Sequence, residues 1–208
     1  MTQLVGILNV TPDSFSDGGK FTTEQSIRAH ILSLAQAGAA VIDIGAESTR
    51  PGAAPLTPDE EWQRLTPVFD IIEELQLQYM QFSLDTRHAE TAAKAIERGV
   101  HWINDVSAGT NPQLLEVVRG HIHAQYVLMH SLSVPADPSI TLPDEVDVTE
   151  AVLQFAMLKL AELEQCGISK NRIIFDPGIG FGKTADQSLQ LIRNIAAFRA
   201  LGVPILVG

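Results

Sequence analysis

Residues 80–105, MQFSLDTRHAETAAKAIERGVHWIND, hold the pattern that decides the fold. A short apolar run, Met80–Leu84, ends on Asp85. A helical stretch follows and closes at Gly99, and a second apolar run, Val100–Ile103, ends on Asn104 and Asp105. The Val100–Ile103 run does not alternate cleanly between apolar and polar residues, as expected of a strand covered on both faces. The glycine between helix and strand supplies the left-handed residue that stops a helix. The same unit repeats outward in both directions. Apolar runs stand at Leu4–Leu8, Ala40–Ile44, Ala124–Met129, Ile173–Phe175 and Val203–Val207, with Gly38, Gly167 and Gly202 at further helix-to-strand junctions. Ile27, Ile31, Leu34 and Ala35 share one helical face, as do Val152, Phe155, Ala156 and Leu163. Thr57-Pro58-Asp59-Glu60 reads as a helix start, with a Thr cap, Pro at the first helical position and Glu three after the cap.

Strict β-α order implies parallel strands with helices outside them. An open doubly wound sheet and a closed barrel both satisfy that order. The barrel is favoured by where the polar residues fall: Asn9, Glu47, Asp85, Asn104 with Asp105, His130 and Asp176 stand at or just past the ends of successive apolar runs. In a barrel those ends ring one mouth, whereas an open sheet would gather them at one switch point. The expected fold is α/β, a parallel (β/α)8 barrel here incomplete, with seven strands and six main helices in one domain over residues 1–208. A whole barrel takes about 250 residues, so the sequence is expected to be part of a longer protein.

Composition narrows the functional classes. With 45% hydrophobic and 19% charged residues among 208, the chain can build a core, and disorder or a coiled coil is excluded. Fourteen Lys and Arg against 25 Asp and Glu give a net charge of −11, which opposes nucleic-acid binding and polybasic membrane attachment. The lone cysteine, Cys166, can form no intrachain disulfide. No run approaches the roughly 18 apolar residues of a membrane span, and the N-terminus lacks a signal-peptide pattern. A cytoplasmic location is expected.

The loops carry the chemistry. Thr11-Pro12-Asp13-Ser14-Phe15-Ser16-Asp17-Gly18-Gly19 is long and irregular enough to act as a lid. Glu47-Ser48-Thr49-Arg50-Pro51-Gly52 sets a guanidinium and two hydroxyls at the mouth, suited to a carboxylate or phosphate. Asp85, Asn104 and Asp105 offer carboxylate and amide groups able to read the edge of a heterocycle. Asp176-Pro177-Gly178-Ile179-Gly180-Phe181-Gly182-Lys183-Thr184 is not a Walker A loop, because Pro177 stands where that motif requires glycine. Its glycines let backbone pass close to a ligand or neighbouring loop. His121 and His123 read as a solvated turn, and His30, His88 and His101 as isolated residues. His130 stands at a strand end without an assigned role.

Together these segments, with Gly6–Val10 before the first loop and Leu128-Met129-His130, resemble the dihydropteroate synthase family, in order and in the expected loops. That family joins 6-hydroxymethyl-7,8-dihydropterin diphosphate to p-aminobenzoate with Mg²⁺, releasing diphosphate. The resemblance implies that Asn9 lies near the metal and diphosphate. It implies that Asp85, Asn104 and Asp176 hydrogen-bond the pterin, with Met129 packed nearby, and that Asp85 serves catalysis. Thr49, Arg50, Pro51 and Phe181 match the side of the second substrate. It further implies small-molecule partners only and, for the full-length family, a homodimer.

Departures are Ala46, where the family commonly has Gly, and Ser131-Leu132-Ser133 after the Met-His pair. The family's Ser-Arg-Lys segment and its last-strand Arg and His have no counterpart, so the 208-residue chain alone is expected to show little synthase activity. The alternatives are a non-catalytic chain that binds a pterin or a partner, and a pterin-dependent methyltransferase, against which the intact Ser-Thr-Arg-Pro-Gly run and first loop argue.

Overall fold

The computed structural model describes residues 2–10, 24–47, 55–137 and 139–208. Strands and helices alternate: β1 (Val5–Asn9), α1 (Glu24–Gln36), β2 (Val41–Gly45), α2 (Pro58–Leu75), β3 (Gln81–Asp85), α3 (Ala89–Glu97), β4 (Trp102–Asp105), α4 (Pro112–Gly120), β5 (Gln125–Met129), α5 (Val148–Gln165), β6 (Ile173–Asp176) and α6 (Ala185–Arg193). Short 3₁₀ turns cover Lys170–Arg172 and Ile195–Leu201. The six strands are parallel and pair in sequence order. The α/β fold is that of a (β/α) barrel lacking closure over these residues.

The predicted seventh strand is reduced. Val203–Val207 makes one parallel bridge, Phe175 to Ile205, with Phe175 N–H donating to Pro204 O and Leu206 N–H to Phe175 O, both at 2.9 Å. Pro204 has no N–H to give, so the segment engages β6 at one place only. Most strands also start and end about one residue later than the apolar runs, because the terminal Asn9, Asp85, Asp105 and Asp176 stay in the ladder. The helix signals hold. Thr57 accepts from Glu60 N–H while Glu60 accepts from Thr57 N–H, and Gly38, Gly99, Gly167 and Gly202 adopt φ of 67° to 89°.

Two apolar layers result. Leu8, Ile42, Ile44, Leu84, Ile103, Leu128 and Phe175 face the helices and join the main core with Ile31, Leu65, Val152 and Leu163. Val41, Trp102, Val127 and Ile174 form a smaller cluster on the other face. That inner face also carries polar residues, which share its levels with the apolar cluster.

Alternation separates Asn104 from Asp105, which a heterocycle-reading pair would have required to act together. Asp105 is fully buried on the helix side, where it accepts from Ser107 N–H (2.8 Å), Ser107 Oγ (2.5 Å), Gly109 N–H (2.9 Å) and Tyr126 Oη (2.6 Å). It organises the turn after β4. Arg172 plays a comparable part at the opposite end, donating to the carbonyls of Val118, His121 and Ala124. Replacing Asp105 by Ala strands four donors, one of them the buried Tyr126 hydroxyl, and should cost about 3 kcal/mol in urea unfolding. A loss below about 1 kcal/mol would show that the turn does not depend on this carboxylate.

Candidate active site

Strand register sets the heights of the inner residues. Asn9, Gly45, Asp85, Asn104, Val127 and Ile174 are register partners in turn, forming one level near the strand ends. Ile7, Asp43, Ser83, Trp102 and Gln125 form the level beneath it. Met129 and Asp176 pair one level above Val127 and Ile174. Five of the residues singled out in the sequence, Asn9, Asp85, Asn104, Met129 and Asp176, therefore converge on one mouth. Phe181 joins them from the loop after β6. Thr49, Arg50 and Pro51 lie outside the described residues, as does the loop Thr11–Gly19.

The level beneath holds a residue that sequence reasoning passed over. Asn104 Nδ2 donates to Asp43 Oδ2 at 2.9 Å, and Ser83 also hydrogen-bonds this carboxyl. Asp43 Oδ1, Asn104 Oδ1 and Trp102 Nε1 are buried without hydrogen-bond partners among the described residues. An acid in the middle of the apolar run Val41-Ile42-Asp43-Ile44 was the available signal, since a strand covered on both faces has no other reason to carry one.

Burial and crowding act on these acids together. Burial pushes the Asp85 carboxyl well above its ordinary range, and the negative charges of Asp43, Glu61, Asp105 and Glu47 push it further. Burial also raises Asp43, against the hydrogen bonds from Ser83 and Asn104. Asp176 is raised to about 6 by burial, offset in part by the Gly178 N–H at 2.7 Å and by Lys183. The interior thus accumulates acids that favour protons or an arriving cation.

A cleft of about 490 Å³, open to solvent, lies at this mouth, lined by Asp85, Arg87, Val106, Ser131, residues 133–136 and Phe181. Glu47 and Arg87 meet across its edge in a two-point ion pair at 2.9 and 3.1 Å. Burial raises the Glu47 carboxyl, but Arg87, with smaller help from the Leu56 N–H and His88, offsets this and holds it below its ordinary value. Behind Asp85, fully buried Glu61 of α2 accepts from Thr86 Oγ1 at 2.9 Å and bonds His88 Nδ1 at 3.0 Å. His88 is therefore no isolated surface residue. Glu61 occupies a core-facing position of its helix, in step with Leu65, Val68 and Ile72, which is where its role could have been read.

Among the described residues, no three His, Cys, Asp or Glu side chains are grouped to hold a metal ion. A hard cation that keeps its waters and binds substrate phosphates needs fewer protein ligands. A Cβ on Gly45 would lie 2.8 Å from Asn9 Oδ1 and 3.7 Å from Asp85 Oδ2, so the absent side chain gives the Asn9 amide oxygen its place beside Asp85. That oxygen donor set fits Mg²⁺. No helix among the described residues is long and apolar enough to cross a membrane.

Fold and mouth are those of the barrel class, in which the polar groups gather at the strand ends where barrel enzymes keep their chemistry. A family model described as "Pterin binding enzyme" matches residues 5–208. The dihydropteroate synthase of Synechocystis is 39% identical over 209 residues, covering all of this chain and 71% of that protein. A Halobacterium salinarum protein named a probable bifunctional folylpolyglutamate synthase/dihydropteroate synthase is 42% identical, and this chain spans only 25% of its length. The solved dihydropteroate synthase of Xanthomonas albilineans with 4-aminobenzoic acid superposes with a TM-score of 0.87 at 40% identity, covering 99% of this chain and 72% of that one. The chain belongs to the pterin-binding enzyme family that includes these dihydropteroate synthases.

Crowding among the acids can be tested without any substrate. Asp43→Asn removes the negative charge that weighs most on Asp85, so the Asp85 carboxyl should titrate at lower pH than in the parent protein. Carbon-13 NMR of labelled aspartates would follow this, and an unmoved midpoint would remove Asp43 from the set of groups that set the charge of Asp85.

Proposed function

We propose that this chain provides the pterin-binding barrel of a cytoplasmic dihydropteroate synthase acting in folate synthesis. The reaction condenses 6-hydroxymethyl-7,8-dihydropterin diphosphate with p-aminobenzoate, giving 7,8-dihydropteroate and diphosphate. The observation that carries the reading is the convergence of Asp85, Asn104 and Asp176 on one inner face, at the ends of three strands, in a chain of this family. These groups offer two carboxyls and an amide to a flat heterocycle whose edge carries both N–H donors and ring acceptors. Met129, 4% exposed beside Asp176, supplies apolar contact. Phe181, in the wall of the cleft, stands on the side assigned to p-aminobenzoate, with Thr49, Arg50 and Pro51 proposed to complete it.

The chemistry follows from charge. As the carbon–oxygen bond to diphosphate breaks, positive charge develops on the methylene carbon and spreads into the electron-rich pterin. The amine of p-aminobenzoate then forms the new carbon–nitrogen bond and loses its proton. Asp85 in its charged form stabilises the cationic pterin across a buried, low-dielectric interior, where such attraction is strongest. The acids that make this charge costly in the empty site also make the arrival of a cation favourable. Mg²⁺, held at Asn9 together with substrate oxygens and water, would neutralise charge on the departing diphosphate.

Two outcomes test the reading. Asp85→Asn keeps the shape but removes the charge, so synthase turnover should fall by about 100-fold or more, with weaker pterin binding. Unchanged kinetics would take Asp85 out of catalysis. The second outcome concerns pH. Asp176 accepts from pterin N–H groups only as a carboxylate, and its proton returns as pH falls through about 6. Affinity for 6-hydroxymethylpterin, measured by calorimetry, should therefore weaken below that pH, with a limiting slope of about tenfold per unit. A flat profile from neutral pH down to the ordinary carboxylate range would mean Asp176 does not bind the ring as an anion.

A further inference from the structure

Lys183 is 6% exposed, yet no carboxylate forms an ion pair with it among the described residues. Its Nζ lies 2.7 Å from Phe181 O, 2.8 Å from Gly178 O and 2.9 Å from His130 Nδ1, with His130 O at 3.3 Å. An ammonium has three N–H groups, and here three near acceptors meet them. His130 must then accept at Nδ1 and carry its proton on Nε2. The remaining environment favours this form: burial and the Lys183 charge lower His130 to about 4, keeping it neutral, and its ring packs edge-on against Phe155 at 4.6 Å. Burial lowers Lys183 itself to about 7.

These contacts lock the loop after β6 onto the end of β5. Gly178 has φ of 65°, and a Cβ there would lie 2.0 Å from His130 O. Gly182, with φ of 68°, would place one 2.6 Å from Leu132 Cγ. Gly182 O in turn accepts from Leu142 N–H at 3.1 Å. Two of the bonds lead directly to groups at the mouth. Gly178, whose carbonyl Lys183 holds, donates its N–H to Asp176 Oδ1 and leaves Oδ2 to another partner. Phe181, whose carbonyl Lys183 also holds, lines the cleft.

We propose that Lys183 is a positioning residue for the site: by clamping Gly178, Phe181 and His130 it aims the Asp176 carboxylate at the pterin and sets Phe181 in the wall of the cleft. The proposal rests on the pterin reading given above, and it concerns how the loop is held rather than which groups touch the ring. A lysine is needed because three diverging acceptors require three donors on one small atom. Methionine fills the same space and supplies none. Arginine spreads its donors in a plane and adds volume where two backbones already touch.

The test compares the parent protein with Lys183→Met in three measurements: thermal unfolding, calorimetric binding of 6-hydroxymethylpterin, and nitrogen-15 NMR of His130. In the parent, His130 Nδ1 should show the shift of an unprotonated acceptor. Lys183→Met should stay folded and bind the pterin about 10- to 100-fold more weakly, as expected when a binding group is misplaced rather than removed, and its His130 Nδ1 signal should move. Lys183→Cys, made with Cys166→Ala and aminoethylated to rebuild an amine of lysine length, should recover most of the affinity, which a packing defect alone would not do. A folded Lys183→Met that binds pterin as the parent does overturns the proposal. A parent His130 protonated on Nδ1 overturns it too, and that measurement needs no variant to fold. Failure of the parent itself to bind 6-hydroxymethylpterin overturns instead the functional reading, and with it the ligand for which the loop is said to be set.

Discussion

Parallel pairing in continuous register, from Asn9 through Gly45, Asp85 and Asn104 to Val127 and Ile174, governs everything at the mouth. Each strand is four or five residues long, so one step of slippage would turn every inward group toward the helices. What prevents slippage is the helix side. Ile42, Ile44, Leu84, Ile103, Leu128 and Phe175 are fully buried in the helical shell, and a one-residue slip would turn them away from it. The apolar outer layer therefore fixes the polar inner one, and the positions of Asp85 and Asn104 are consequences of burying their neighbours Leu84 and Ile103.

That geometry places acids where isolated charge is expensive. Asp43, Asp85 and Asp176 face a shared interior, with Glu61 behind Asp85 on the helix side. Hydrogen bonds relieve part of the cost: Ser83 and Asn104 serve Asp43, Gly178 N–H serves Asp176, and Thr86 and His88 serve Glu61. Among the described residues Asp85 receives no comparable relief, and its carboxyl is pushed well above its ordinary range. A group left in this condition is costly to the folded protein but well prepared for a ligand that brings positive charge or N–H donors.

Much of this was legible in the sequence because two periods are simple to read. Short apolar runs separated by helical patterns gave the strand order, and polar residues at the run ends gave Asp85, Asn104 and Asp176. The rest depended on contacts that no local pattern encodes. Alternation along β4 sends Asn104 inward and Asp105 outward, and only the exact strand phase distinguishes them. Lys183 was visible inside a glycine-rich loop, yet its partners His130 and Gly178 become neighbours only when β5 and β6 pair. His88 looked solitary because Glu61 lies 27 residues away on another element. The seventh apolar run was visible as well, but Pro204 limits how far it can join the sheet.

The main-chain nature of the Lys183 contacts has a bearing on how this loop can drift. Carbonyl oxygens are present whatever the side chain, so replacements at Ile179 leave the acceptors on either side of it unchanged. Gly180 has free space where a Cβ would go, though its φ of 81° still favours glycine. Gly178 and Gly182 have no such room, because backbone or side-chain atoms of the neighbouring loop already occupy the space a side chain needs. Along the loop, therefore, a left-handed φ or backbone crowding fixes every second position, while Ile179 between them answers only to its packing against the main core.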